Sequence, residues 1–256
     1  KIEKEDELKK FKTIYKHLSL YKEILKERSI NGVLQSAYQK GKWWALTTDR
    51  PNINFDSEKI LCPQRSNTNT FGYSKEEWFA ASDVFYITLN RHGYSLKYIQ
   101  SILTSKLTYF WLYYMGKRKG EALELTLEPL QFIPIKKIQT SEQIPFIRIV
   151  DYILFLKEKE FSFITDQLIP TYFEQIIDGM VYELYFPELL KKYDCEIIKH
   201  LGELPEFTEG MSDEDKMEIC QKVFDRLNDA THPVRINLDR MKEEIPEIRI
   251  IEGLDN

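Results

Sequence analysis

Leu8, Phe11, Ile14 or Tyr15, Leu18, Tyr21 and Leu25 recur at helical spacing, which predicts one amphipathic helix over residues 5–28. Ser29-Ile30-Asn31-Gly32 reads as its stop. Between residues 41 and 90 the pattern turns to short apolar runs rich in β-branched and aromatic residues, at 43–48, 59–62 and 84–89. They are separated by Pro51, Asn52, Pro63 and a Ser/Asn/Thr-rich stretch, a strand-and-loop texture. A second helix follows, with Ser95 as its N-cap, Leu96, Ile99, Leu103, Leu107, Phe110 and Tyr114 on one face, and Gly116 as its C-cap. The stretch GKRKGEALELTLEPLQFIPI then predicts a loop leading into extended chain, because Pro129 and Pro134 interrupt any long helix. Beyond residue 140 the texture is helical. Ile169, Tyr172, Phe173, Ile176, Met180, Val181 and Leu184 form one stripe, with Pro170 near its start and Pro187 near its end. Ser212-Asp213-Glu214-Asp215 opens another helix running to about Leu227, and one short helix is expected after Pro233. The expectation is an α+β chain: a mixed helix-strand domain over residues 1–139, then an all-α helical domain over 140–256.

Charge sharpens that division. Up to residue 139 there are 23 Lys and Arg against 15 Asp and Glu, a net of +8; beyond it there are 13 against 26, a net of −13. A reversal of this size points to two modules with different partners, the basic one suited to phosphate. Apolar content is 43 % in 256 residues, enough for a real core. No run of apolar residues reaches membrane-spanning length, so no membrane partner is expected. The start is charged and lacks a secretory leader and an initiator Met, from which we expect a piece of a longer, cytoplasmic protein. Cys62, Cys195 and Cys220 are too scattered for a disulfide framework and fit reduced thiols.

No motif for catalysis emerges. There is no G-x-G, P-loop, H-E-x-x-H or C-x-x-C. His17, His92, His200 and His232 are isolated, so neither a metal nor a catalytic site is expected, and no cofactor within the chain. The E-x-K triplets at Glu7 and Glu214 are what chance yields in a chain with 30 % charged residues.

The candidate contact residues are basic, aromatic or amide side chains between elements. Lys40, Lys42, Trp43 and Trp44 cluster after Gly41, and Arg50 opens the next turn. Gln64, Arg65, Asn67 and Asn69 belong to a loop rich in side chains that read base edges. Lys117, Arg118 and Lys119 suit phosphates, since three adjacent cations point in several directions. Each has an ordinary structural alternative: tryptophans are more often core, amide and hydroxyl residues favour turns for their own reasons, and a Lys-Arg-Lys run is commonly a solvated turn.

Three stretches taken in order resemble the TaqI-like C-terminal specificity domain of adenine-N6 DNA methyltransferases in restriction-modification systems. They are TIYKHLSLYKEILKERS followed by GKWWALTTDRP; KILCPQRSNTNTFGY leading to SDVFYITL; and YIQSILTSKLTYFWLYYMGKRKGEALELTLEPLQFIPI. The likeness covers about residues 11–139 and centres on Leu103-Thr104-Ser105-Lys106-Leu107 and the Pro134-Ile135 end. It implies target recognition on double-stranded DNA, with Ser105, Lys106 and the loop at 116–120 at matching positions. It also implies a separate N-terminal methyltransferase domain in the same bacterial polypeptide, binding S-adenosylmethionine and flipping the target adenine, with a restriction endonuclease as a further possible fusion. The Asn-Pro-Pro-Tyr-type motif of that domain is not in this chain. The acidic remainder is similar to the helical tail of large single-chain methyltransferase-restriction proteins. An alternative reading is a protein-interaction or scaffolding module whose acidic half docks on a partner domain or subunit; an independent nuclease is a third.

Overall fold

The computed structural model describes residues 2–30, 33–34, 41–45, 55–80, 83–89, 92–159 and 168–253, with only the backbone at 29–30 and 33–34. The chain forms two compact units, Lys1–Asn54 and Phe55–Asn256, each of which is best understood by itself.

In the first unit the expected single helix is three: α1 (Glu5–Lys9), α2 (Lys12–Ser19) and α3 (Lys22–Glu27). The helical path is lost at Phe11 (φ −90°, ψ 71°) and at Tyr21 (φ −110°, ψ 12°). Periodicity reports which face is apolar and is silent about such breaks. Of the apolar stripe, Leu8 is buried, whereas Phe11, Ile14 and Tyr21 are exposed. A minimal hairpin, β1 (Ser29–Ile30) with β2 (Val33–Leu34), follows. The strand expected at 43–48 is a turn over 43–45, and the rest of it lies outside the described residues.

The second unit opens with β3 (Lys59–Pro63), β4 (Arg65–Ser66), β5 (Gly72–Ser74) and β6 (Val84–Ile87). β3 is the middle strand of an antiparallel β5-β3-β6 sheet. Lys59 is fully buried in it, and its ammonium donates to the carbonyls of Ser57 (2.8 Å) and Glu76 (2.6 Å). Those bonds offset the cost of withdrawing the charge from water.

The long helix expected after Ser95 is two, α4 (Leu96–Thr104) and α5 (Lys106–Met115). Ser95 caps the first as expected, accepting from the Lys97 amide, and Gly116 closes the second. Between them Ser105 is extended (φ −68°, ψ 156°) and caps α5, its hydroxyl oxygen accepting from the Thr108 amide. A serine can satisfy one of the four orphan amides of a helix start in this way, which a leucine or alanine cannot. The expected loop and extended run at 116–135 is instead a hairpin, β7 (Lys117–Lys119) and β8 (Ala122–Glu124), followed by the short helix α6 (Leu127–Gln131). Pro129 is tolerated because it falls in the first turn, where its missing amide had no helical partner.

Helices α7 (Thr140–Lys157), α8 (Leu168–Tyr185), α9 (Pro187–Lys192), α10 (Asp213–Leu227), α11 (Pro233–Glu244) and α12 (Pro246–Glu252) complete the unit. α8 and the Ser212-capped α10 fall where the pattern placed them; after Pro233 there are two helices, since Pro246 starts a second. The α+β class holds: small antiparallel sheets precede a helical C-terminal region.

Two hydrophobic clusters share α4 as a common wall. Leu96 and Leu103 pack with Ile60, Cys62, Leu112 and Leu123, while Tyr98 and Ile102 pack with the helical core of Phe146, Phe173 and Met180. Gln143 of α7 ties the start of α4 by accepting from the Ser95 amide (2.9 Å) and donating to the Gly93 carbonyl (2.7 Å). Gly179 lets α8 approach its neighbours, since a Cβ there would lie 2.5 Å from Leu238 and 2.8 Å from Ile197. The cysteines are unbridged and buried, and burial pushes the thiols of Cys62 and Cys220 up to about 12.

Asp178 sits inside the apolar stripe of α8, 8 % exposed, and accepts from the Lys106 amide at the start of α5 (2.8 Å). Burial pushes its carboxyl up to about 7, against the pull of the Lys106 amide and charge. Its folded value exceeds its unfolded one, so its contribution is complete in acid and is lost as pH rises through about 7. Full ionisation costs on the order of 4 kcal/mol. Asp178→Asn, which keeps an acceptor for the Lys106 amide, should therefore raise the melting temperature at pH 8 and leave it nearly unchanged at pH 3, below the unfolded-state value. Thermal unfolding of both proteins across that range is the measurement.

Candidate nucleic-acid interface

β8 is the centre of a three-stranded antiparallel sheet in the order β4-β8-β7. The register aligns Arg65, Glu124 and Lys117 in one row and Ser66, Leu123 and Arg118 in the next, with Lys119 opposite Ala122. Residues in one row share a face and successive residues alternate. Arg65, Lys117 and Lys119 therefore project together, while Arg118 lies on the side of the buried Leu123, its guanidinium 4.1 Å from the centre of the Tyr113 ring. The hairpin needs Gly120: the connection has two residues, and its first has φ 63°.

This sheet face is cationic with acidic partners. Arg65 pairs with Glu124 (3.4 Å) and Lys117 with Glu128, whereas Lys119 has no ion pair with any described residue. Exposed pairs of this kind hold a lysine weakly, so a phosphate can take the place of Glu128.

The polar loop beside β4 divides into structural and free members. The Asn69 amide donates to the carbonyls of Leu103 (2.7 Å) and Ser105 (2.8 Å), tying the loop to the α4–α5 junction. Ser66, Thr68 and Thr70 bond one another through their hydroxyls. Gln64 holds its place through its backbone, accepting from the Leu125 amide and donating to the Asp83 carbonyl, while its half-buried side chain has no hydrogen bond to a described residue. Asn67 is exposed and equally unengaged. Ser105 is buried at the helix junction and Lys106 pairs with Glu252, so both are structural in this conformation.

Residues 4–135, a little over half of the chain, match the TaqI-like C-terminal specificity domain. The chain belongs to that family. Its specificity domain is the DNA-recognising part of a methyltransferase, and the span of the match agrees closely with the stretches quoted from the sequence. No curated relative matches the chain.

Within the specificity domain, the remaining candidates lie in the first unit. Trp43 is 3 % exposed, edge-on to Tyr15, with the Lys22 ammonium 4.9 Å from its ring centre. It is a core residue there, the commoner fate of a tryptophan. Arg28 clasps its turn, donating to the carbonyls of Trp43 (3.1 Å) and Ala45 (3.0 Å). Lys42 is half-buried and pairs with Glu3. Arg50 and Lys40 lie outside the described residues. No described helix is long and apolar enough to cross a membrane.

Reasoning from sequence missed residues that tie the α4–α5 region together: Asp178, and Gln100, whose amide donates to the Phe71 carbonyl (3.1 Å). An aspartate inside an apolar helical stripe was the visible signal for the first; nothing marked the second. Replacing Asn69 with alanine should orphan two carbonyls and cost about 1–2 kcal/mol of stability. Asn67→Ala, at an exposed and unbonded side chain, should stay within roughly 0.5 kcal/mol. Urea unfolding of both variants separates the structural amide from the free one.

Proposed function

We propose that this chain supplies sequence-specific recognition of double-stranded DNA for N6-adenine methylation, carried out by a catalytic domain N-terminal to it in the same polypeptide of a bacterial, cytoplasmic restriction-modification enzyme. The observation that carries the reading is the β4-β8-β7 sheet: it places Arg65 of the polar loop beside Lys117 and Lys119 of the hairpin, although the two stretches are far apart in sequence. The family name itself puts the specificity domain at the C-terminal side of its enzyme. S-adenosylmethionine belongs to the catalytic partner, and no residue of this chain is assigned to it.

In this reading Lys117 and Lys119 position the duplex through phosphates from the face they share with Arg65, and Arg118, on the other side of the strand, adds its charge to the hairpin. Asn67 and Gln64 have side chains with no hydrogen bond to a described residue, and with Arg65, whose exposed pair with Glu124 is weak, they are the ones to reach base edges. Residues 1–139 are the recognition module. The acidic helices of 140–256 buttress its part from residue 55 onward and offer a surface to the catalytic domain, which is the place left for the docking role of that half. The charge reversal between the halves supports this division of labour.

Binding of the chain to duplex DNA should weaken steeply with salt. Neutralising all three hairpin cations (K117Q, R118Q and K119Q together) should reduce the magnitude of the slope of log K against log salt by about 2 to 3, the number of phosphate contacts removed. Fluorescence anisotropy over a salt series measures it, and an unchanged slope removes the hairpin from the interface. Asn67→Ala should leave the slope alone and lower the preference for the target over random DNA.

A further inference from the structure

Away from the hairpin, a cavity of about 470 Å³ opens among α4, α7, α8, the first residue of α5 and the end of α11. Its volume lies in the range of small-molecule sites. Phe71, Val150, Ile153 and Ile177 supply apolar wall, and the polar lining comes from separate elements, Asp178 on α8 and Lys242 on α11 among them.

Two charged groups in this lining are left incompletely satisfied, and the side-chain oxygen of Gln100 is buried there with no hydrogen-bond partner among the described residues. A carboxylate has about four acceptor positions, yet Asp178, 8 % exposed, takes one hydrogen bond, from the Lys106 amide, among the described residues. Buried polar groups in native proteins are ordinarily paired more fully than this. Lys242 has the opposite deficit: its ammonium reaches the Gln175 side-chain oxygen (3.2 Å) and no described carboxylate. The other two lysines of the lining are neutralised, Lys106 by Glu252 and Lys157 by Glu174. Asp178 and Lys242 do not pair with each other either. The cavity thus holds a buried acceptor on α8 and a lysine on α11 that has no ion pair with a described carboxylate, and apolar side chains complete its lining.

We propose that this cavity binds a nucleotide whose base carries an exocyclic amine, the amine donating to Asp178, the flat base lying against the apolar wall and the phosphate meeting Lys242. Each part of such a ligand answers one feature of the lining. A neutral apolar ligand leaves both groups unsatisfied, and a simple anion answers only Lys242. This site is separate from the DNA-facing sheet and does not depend on the reading of that sheet.

The experiment is isothermal titration of the full chain with cytidine 5′-monophosphate and adenosine 5′-monophosphate, with uridine 5′-monophosphate, cytidine and inorganic phosphate as comparisons. At least one aminated nucleotide should bind, and the forms lacking the amine or the phosphate should bind roughly tenfold or more weakly, the worth of one charge-assisted hydrogen bond. Lys242→Gln should bring cytidine monophosphate down to the affinity of cytidine. Asp178→Asn should erase the preference for cytidine monophosphate over uridine monophosphate. The triple hairpin variant should bind the nucleotide as the parent does. Four results overturn the proposal: no binding at millimolar nucleotide, phosphate binding as tightly as nucleotide, indifference to Lys242→Gln in a folded protein, or loss of binding in the hairpin variant.

Discussion

One helix must end and another begin within a single residue, Ser105, and much of the second unit is arranged around that requirement. A break there exposes carbonyls at the end of α4 and amides at the start of α5, in a place where both are buried. Two partners from distant parts of the chain, Asn69 and Asp178, and two local hydroxyls, Ser105 and Thr108, meet the demand. The Asn69 amide donates to the carbonyls of Leu103 and Ser105. The Ser105 hydroxyl donates to the Ile102 carbonyl (2.7 Å) and accepts from the Thr108 amide. The Thr108 hydroxyl donates to the same Ile102 carbonyl (2.7 Å), and the Asp178 carboxylate takes the Lys106 amide. Unmade bonds of this kind each cost about 1–3 kcal/mol when buried, so the junction binds the polar loop, the two helices and α8 into one arrangement.

That arrangement is what positions the basic sheet. Asn69 fixes the end of the polar loop, β8 fixes its beginning through Arg65 and Ser66, and α5 leads directly into the cationic hairpin. The basic sheet is therefore carried on rigid elements rather than on a free loop. The acidic helices take part in the same architecture. α4 lends Tyr98 and Ile102 to the helical core and Leu96 and Leu103 to the strand-side core, and Ile99 and Ile135 touch both. A change in the acidic helices can accordingly reach the strand-bearing part of the unit through packing alone.

The legible parts of the sequence were those governed by local rules. Ser95, Ser212 and Gly116 sit where capping chemistry puts them, and the apolar stripe of α8 is buried at Tyr172, Phe173, Ile176, Met180 and Val181. The breaks at Phe11, Tyr21 and Ser105 were not legible, because an apolar face keeps its spacing across a short interruption. Lys117, Arg118 and Lys119 read as a loop because charge outweighed strand propensity in the pattern; the two-residue turn at Gly120 and pairing with β8 make them a strand.

By itself the sequence determined the α+β class, the family, the opposite charge of the two halves and the candidate polar loops, since these follow from periodicity, composition and ordered motifs. The tertiary structure alone decided which candidates are free. Asn69 and Ser105 are drawn into helix-end carbonyls and amides, Trp43 into a core, and Lys106 onto Glu252. Arg65, Asn67 and Lys119 are left facing solvent. The reason is that a polar side chain's role depends on which buried backbone groups lack partners nearby, and those groups meet only when the chain folds.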